Sequence, residues 1–230
     1  MKNGTSLYLD FLRVFSAFAV FLGHSGFAWF SQNAVYPING HKFVIIFFSL
    51  SGYLIAYTIH QKKKDGLSYA VDRISRLYSV IIPALILTFI LDNIGMLINP
   101  ALYLANITPN HYFLRFILAF FNLQEIGPLS SRPSINGPFW SLAYEFWYYA
   151  IFGIYLYMPA SKIKAIVILL ICTLFYKITL LFPVWLGGVL AFNLSQKIQP
   201  SSAVKFAGFI ITFAIIVIFM FEIAPEVFPV

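Results

Sequence analysis

Arg13 and His24 stand in one apolar run, residues 9–30. On an α-helix, a spacing of eleven returns the chain to within about 20° of the same face. The guanidinium and the imidazole therefore share a stripe and lie ~16 Å apart along the axis, about half of the hydrocarbon thickness. An ionisable side chain inside a membrane helix is costly and normally faces a bundle interior or a polar cavity. Two on one stripe predict a polar track entering the membrane from one side. The plainer alternative is a positive-inside anchor at Arg13 and an unrelated interior His24. Arg73 and Arg76 are three apart, on one helix face, and arginine makes forked contacts with phosphate. They could grip a nucleotide or a lipid headgroup, or serve the structure alone. Glu145 is the carboxylate within the aromatic stretch 139–149. An interfacial belt accounts for the aromatics but not for the acid. The lone Cys172 excludes an intramolecular disulfide. No HExxH, Cys/His cluster or glycine-rich phosphate loop is visible, so no metal site is expected.

The elements that must position these groups are membrane helices. Hydrophobic residues are 60% and charged residues 10% of 230, against about 25% charge in soluble domains. The fold class is therefore all-α, a polytopic transmembrane helix bundle of seven or eight apolar segments, read as one membrane domain over 1–230. The spans expected are 10–30, 43–60, 77–95, 142–158, 165–182, a shorter one from Pro183 to about residue 195, and 206–221. The first is read as an uncleaved span. Segment 113–123, interrupted by Arg115, would reach only about 17 Å. It is either a short tilted span or a re-entrant piece. The loop 124–139, rich in Gly, Pro and Ser, cannot be regular structure. Ser51 and Gly52 are small residues that let helices approach closely. Asp92 and His111 read as interfacial polar residues, and Lys177 as a snorkelling one.

The net charge of +7 first reports topology in such a chain, not nucleic-acid binding. Lys62, Lys63, Lys64, Arg73 and Arg76 form the densest positive block, so the 61–76 loop and the N-terminus are expected to be cytoplasmic. If 113–123 crosses the membrane, Lys162, Lys164, Lys197 and Lys205 fall outside. If it is re-entrant, they fall inside, as the positive-inside rule prefers.

Four of these stretches resemble the integral-membrane acyltransferase 3 family, in that family's order. Arg13 and His24, preceded by Asp10, match its first-helix pattern. Phe47, Phe48, Ser51, Gly52 and Tyr53 match Phe-Phe-x-x-Ser-Gly-aromatic. Arg73 and Arg76 match Arg-x-x-Arg. Trp140, Ser141, Leu142 and Glu145 match Trp-Ser-Leu-x-x-Glu, with Tyr148 following. Residues 185–191 loosely resemble a later glycine-containing helix. The family usually carries more spans, so the chain looks C-terminally shortened.

The resemblance implies an O-acyltransferase that takes an acyl group, in the first instance acetyl, from cytosolic acyl-CoA. The acceptor would be a hydroxyl of a surface polysaccharide, lipopolysaccharide or lipid-linked sugar, and the setting the lipid bilayer of a bacterial inner membrane. Arg73 and Arg76 would bind CoA phosphates and Arg13 the pyrophosphate or pantetheine end. His24 would act as general base, its ordinary pKa lying near 6.5. Glu145 would orient His24 or neutralise Arg13. Ser51 and Trp140 would shape the substrate cavity. No bound cofactor is expected. The rival readings are a non-catalytic truncated homologue and a transporter- or flippase-like subunit of polysaccharide assembly.

Overall fold

A computed structural model describes residues 3–25, 40–62, 65–101, 110–198, and positions 201, 204, 208 and 210–212. The side chains at 3, 5, 24, 25 and 41 lie outside the described residues, as does most of the expected span 206–221. The described chain is helical, with no strand: α1 (Asn3–Ser25), α2 (Gly40–Lys62), α3 (Gly66–Ile98), α4 (Tyr112–Phe120), a 3-10 turn (Gly137–Phe139), α5 (Trp140–Tyr157), α6 (Lys162–Leu174) and α7 (Tyr176–Lys197). Four of these helices, α1, α2, α3 and α7, are long and apolar enough to cross a membrane. The remaining helices α4, α5 and α6 have 9, 18 and 13 residues, and the expected seven or eight segments are not all matched by such helices among the described residues. The chain forms two compact units, residues 1–61 with 184–230, and residues 62–183.

In the first unit, α1 and α2 pack through Leu9, Leu12, Ala19, Phe43 and Leu50, with Phe15 edge-on to Phe43 at 6.1 Å. Positions 9, 12, 16 and 19 follow helical spacing and form the buried face of α1. The other contact is a close crossing of α2 with the 184–197 part of α7. A Cβ added to Gly52 would fall inside the carbonyl of Trp185, and one added to Gly188 inside the carbonyl of Ser49. Each helix thus has glycine where the other's backbone passes. The Trp185 indole, fully buried, donates to Ser51 Oγ at 3.3 Å. Phe192 then packs edge-on against Tyr53 at 5.5 Å and His60 at 5.6 Å.

In the second unit, α3 is the axis. It has 33 residues and is about 50 Å long, well beyond the roughly 30 Å hydrocarbon core. The expected 61–76 loop is therefore mostly helix: α3 begins at Gly66, capped by Asp65, which accepts from the Ser68 N–H at 3.2 Å. Hydrogen bonding from Ser68 holds the Asp65 carboxyl below its ordinary range. The cap therefore supports the helix at neutral pH and weakens as acid protonates the carboxylate. Arg73 and Arg76 sit on the second and third turns of this helix.

Segment 112–136 doubles back along α3. The Tyr112 hydroxyl donates to Asp92 Oδ2 at 2.8 Å, and the Tyr78 hydroxyl to the Phe120 carbonyl at 2.9 Å. Asn136 Nδ2 then returns to Thr88 Oγ1 at 2.8 Å. The segment goes in along less than half of α3 and comes back toward the same end. α5 next runs the rest of the way: the Tyr69 hydroxyl donates to the Tyr149 carbonyl at 3.1 Å, and Tyr157 packs on Gly66. The C-terminal end of α5 thus lies where α3 begins.

The structure extends or revises three sequence readings here. Asp92 is buried within the protein, at 3% exposure, where it accepts from the Tyr112 hydroxyl. Lys177 has specific partners. Its ammonium donates to the carbonyls of Pro128 and Leu129 and to Ser130 Oγ, at 3.0, 3.0 and 2.9 Å, and so pins the loop. The break expected at Pro183 falls instead at Phe175, and Pro183 lies inside α7. Phe175 is buried on the Trp147 ring, centroids 4.0 Å apart, while Gly127 N–H donates to the Leu174 carbonyl at 2.6 Å.

Candidate functional site

In the second unit, the sequence-derived residues Arg73 and Glu145 are joined through one tyrosine. The Arg73 guanidinium lies 5.9 Å from the Tyr69 ring centroid and 5.8 Å from that of Tyr149, a cation–π arrangement on two rings. Its side chain is only 12% exposed, and the Asp72 carboxylate stands 3.9 Å from Nη2. Its Nε is buried with no hydrogen-bond partner. The Tyr149 hydroxyl donates to Glu145 Oε1. These two are four residues apart on α5, so the i, i+4 geometry stacks them. The ring that faces the cation therefore also carries the hydroxyl that holds the carboxylate.

Tyr69 and Tyr149 were not read as site residues from the sequence. The signal available was helical spacing: Tyr69 precedes Arg73 by four and Tyr149 follows Glu145 by four. Nearby, Tyr157 stacks on Tyr69 with centroids 5.4 Å apart, and its buried hydroxyl has no partner. A cation with an unpartnered Nε beside an unpartnered hydroxyl is a donor set suited to an anion. Arg76 is exposed, so the two arginines sit in different surroundings although they share a helix. Trp140, at the other end of α5, is half-buried and edge-on to Tyr144 at 4.8 Å.

In the first unit, Arg13 borders the buried face of α1. Its Nη1 lies 3.3 Å from Asp10 Oδ1, with the arginine side chain 35% exposed. Such an exposed i, i+3 pair contributes little to stability. His24 lies on α1, next to its end, and its side chain is outside the described residues. Ser51 is buried beneath the Trp185 indole. No group of three or more metal-ligating side chains occurs among the described residues.

No curated protein and no solved structure matches the chain. The family model of acyltransferase 3, described as an acyltransferase domain, matches residues 6–227. That span takes in α1 with Arg13 and His24, the α2–α7 crossing, the Arg73–Tyr149–Glu145 linkage and the Trp140 turn, and on this match the chain belongs to the membrane-embedded acyltransferase 3 family.

Proposed function

We propose that the protein transfers an acyl group, acetyl in the simplest case, from cytosolic acyl-CoA to a hydroxyl of a surface polysaccharide, lipopolysaccharide or related glycan. The setting is the inner membrane of a bacterium. The observation that carries this reading is Arg73: a cation held between two tyrosine rings with a buried, unpartnered Nε. A phosphate of the donor supplies what that group lacks. Arg76 and Arg13 add positive charge for the donor's other anionic groups. Ser51 and Trp140 shape the substrate path.

In the reaction, the acceptor oxygen attacks the thioester carbonyl carbon. A C–O bond forms, the C–S bond breaks, the hydroxyl proton passes to the His24 imidazole, and CoA leaves as the thiol after protonation. Glu145 holds its hydrogen-bonded position through Tyr149 and supplies the negative charge that the cationic groups of the mechanism need.

Arg73→Ala is expected to weaken acyl-CoA binding at least about tenfold, the loss of a charge-assisted contact. Arg73→Lys recovers only part of it, because a point charge lacks the planar fork and stacks less well on tyrosine. Arg76→Ala is expected to have the smaller effect, since its side chain is exposed. Titration of purified protein with labelled acetyl-CoA measures all three, and unchanged affinity in Arg73→Ala removes the donor site from α3.

Orientation follows from charge. The packing of Tyr157 on Gly66 puts Lys162 and Lys164 at the end of the second unit where α3 starts. The positive-inside rule makes that end cytoplasmic. Cysteines introduced at Gly66 and Lys162, in a Cys172→Ser background, are expected to react with an impermeant maleimide only from the cytosolic side. Labelling of the two from opposite sides contradicts this.

A further inference from the structure

The doubled-back segment carries an unusual density of buried polar groups without partners. Asn122 and Gln124 are 0% exposed, and all four of their side-chain amide atoms lack a hydrogen-bond partner. Ser134 Oγ, in the same segment, and Asp92 Oδ1, on the helix the segment covers, are also buried and unpartnered. Native proteins leave few such atoms, because each retains its full desolvation cost. Asn122 and Ser134 hold left-handed backbone, φ 57° and 54°, which non-glycine residues adopt at a cost. Neighbouring contacts hold the segment firmly all the same. Trp147 Nε1 donates to the Asn122 carbonyl at 2.9 Å, and Lys177 pins residues 128–130.

We infer that Asn122 and Gln124, with Ser134, form a binding site for a neutral, hydroxyl-bearing ligand, the sugar of the acyl acceptor. This identification of the ligand rests on the acyltransferase reading above. The chemistry of the groups selects the class. Side-chain amides both donate and accept, as hydroxyl groups do. Of the cations of this region, Lys177 is engaged with three oxygens and Glu125 and Arg115 with the Asn110 carbonyl and Ser131 Oγ, while Arg132 is exposed and the two amides are fully buried. The amides are fully buried in this structure, so binding requires the segment to open.

The site makes opposite demands on stability and function, and this provides the test. Purified full-length protein is compared with Gln124→Met, Asn122→Leu and Ser134→Ala. Four readouts are taken: thermal midpoint, the shift of that midpoint on adding saturating methyl glycosides of glucose, galactose, rhamnose and N-acetylglucosamine, binding of labelled acetyl-CoA, and transfer of label to glycan of host membranes. Apolar replacement of an unpartnered amide is expected to raise the midpoint by about 2–4 °C. It is also expected to abolish the glycoside-induced shift, reduce transfer at least about tenfold, and leave acetyl-CoA binding unchanged. A lowered midpoint in Gln124→Met and Asn122→Leu, with the glycoside shift and transfer retained, overturns the inference and makes the amides water-satisfied structural groups. Absence of any glycoside shift in the unmodified protein overturns it too. Failure of the unmodified protein to bind acetyl-CoA, with the glycoside shift intact, counts against the acyltransferase reading and leaves a sugar site standing. Ser134→Ala, the smallest change, retains a reading if the larger variants do not fold.

Discussion

Gly188→Ala is expected to destabilise the protein strongly, while Gly187→Ala, one residue away, is expected to be neutral or mildly stabilising. A Cβ at Gly187 meets nothing within 4 Å, whereas one at Gly188 meets the Ser49 carbonyl and the Tyr53 nitrogen. These are backbone atoms, so no rotamer change relieves the clash and α2 must move away from α7. Overpacking costs about 1–3 kcal/mol and occasionally more. At the upper end, the melting midpoint falls by roughly 6–12 °C. At Gly187 only the helix-propensity gain remains, up to about 1 kcal/mol in favour of alanine. Gly52→Ala clashes with the Trp185 carbonyl at the same crossing and should match Gly188→Ala. Since either substitution alone separates the helices, the double variant should cost less than the sum of the two. Thermal unfolding of the four variants in detergent checks this. Equal midpoints for Gly187→Ala and Gly188→Ala would show that the helices do not cross so closely.

The largest catalytic effect is expected at His24. His24→Ala should lower acyl transfer by about 10²–10⁴-fold, typical for a lost general base, and keep acyl-CoA binding. Arg13→Ala should lose donor affinity as well, if it meets an anionic part of the donor as proposed. Glu145→Gln removes the charge but leaves an oxygen to accept from Tyr149, so its kinetic class reveals its task. If it behaves like His24→Ala, the carboxylate serves proton transfer; if it behaves like Arg13→Ala, it serves cation placement. Tyr149→Phe keeps the ring that faces Arg73 and deletes the hydroxyl on Glu145. It should therefore follow Glu145→Gln in transfer while sparing donor binding. Single-turnover transfer and equilibrium binding with labelled acetyl-CoA separate these cases. Full activity in His24→Ala would remove the general-base step and with it most of the mechanism.

The sequence by itself determined the helical, membrane-suited character of the chain and its family. These rest on hydropathy and on short patterns such as Arg13 to His24, Phe47 to Tyr53 and Trp140 to Glu145, which are local. Helical spacing likewise placed Arg73 and Arg76 on one face. Other features depended on partners far along the chain, and only the tertiary structure decided them. Pro183 reads as a breaker, yet α7 continues through it. The break falls at Phe175, where a ring 28 positions earlier supplies the stacking surface and Gly127 takes a carbonyl of the helix end. Lys177 reads as a snorkelling cation, and its hold on the loop depends on the Pro128 and Leu129 carbonyls that the fold brings to it. Segment 113–123 reads as either crossing or turning back, since eleven residues are too short to span comfortably. The contacts at Asp92, Tyr78 and Thr88 show the chain doubling back along α3. Ser51 and Gly52 read as small residues that let helices approach, with a cavity role also open for Ser51. Which backbone approaches, the Trp185 carbonyl at Gly52 and the Ser49 carbonyl at Gly188, only the fold shows. Local rules set which residues are helical and apolar; what each polar or small residue touches is set by chain segments that the fold alone brings together.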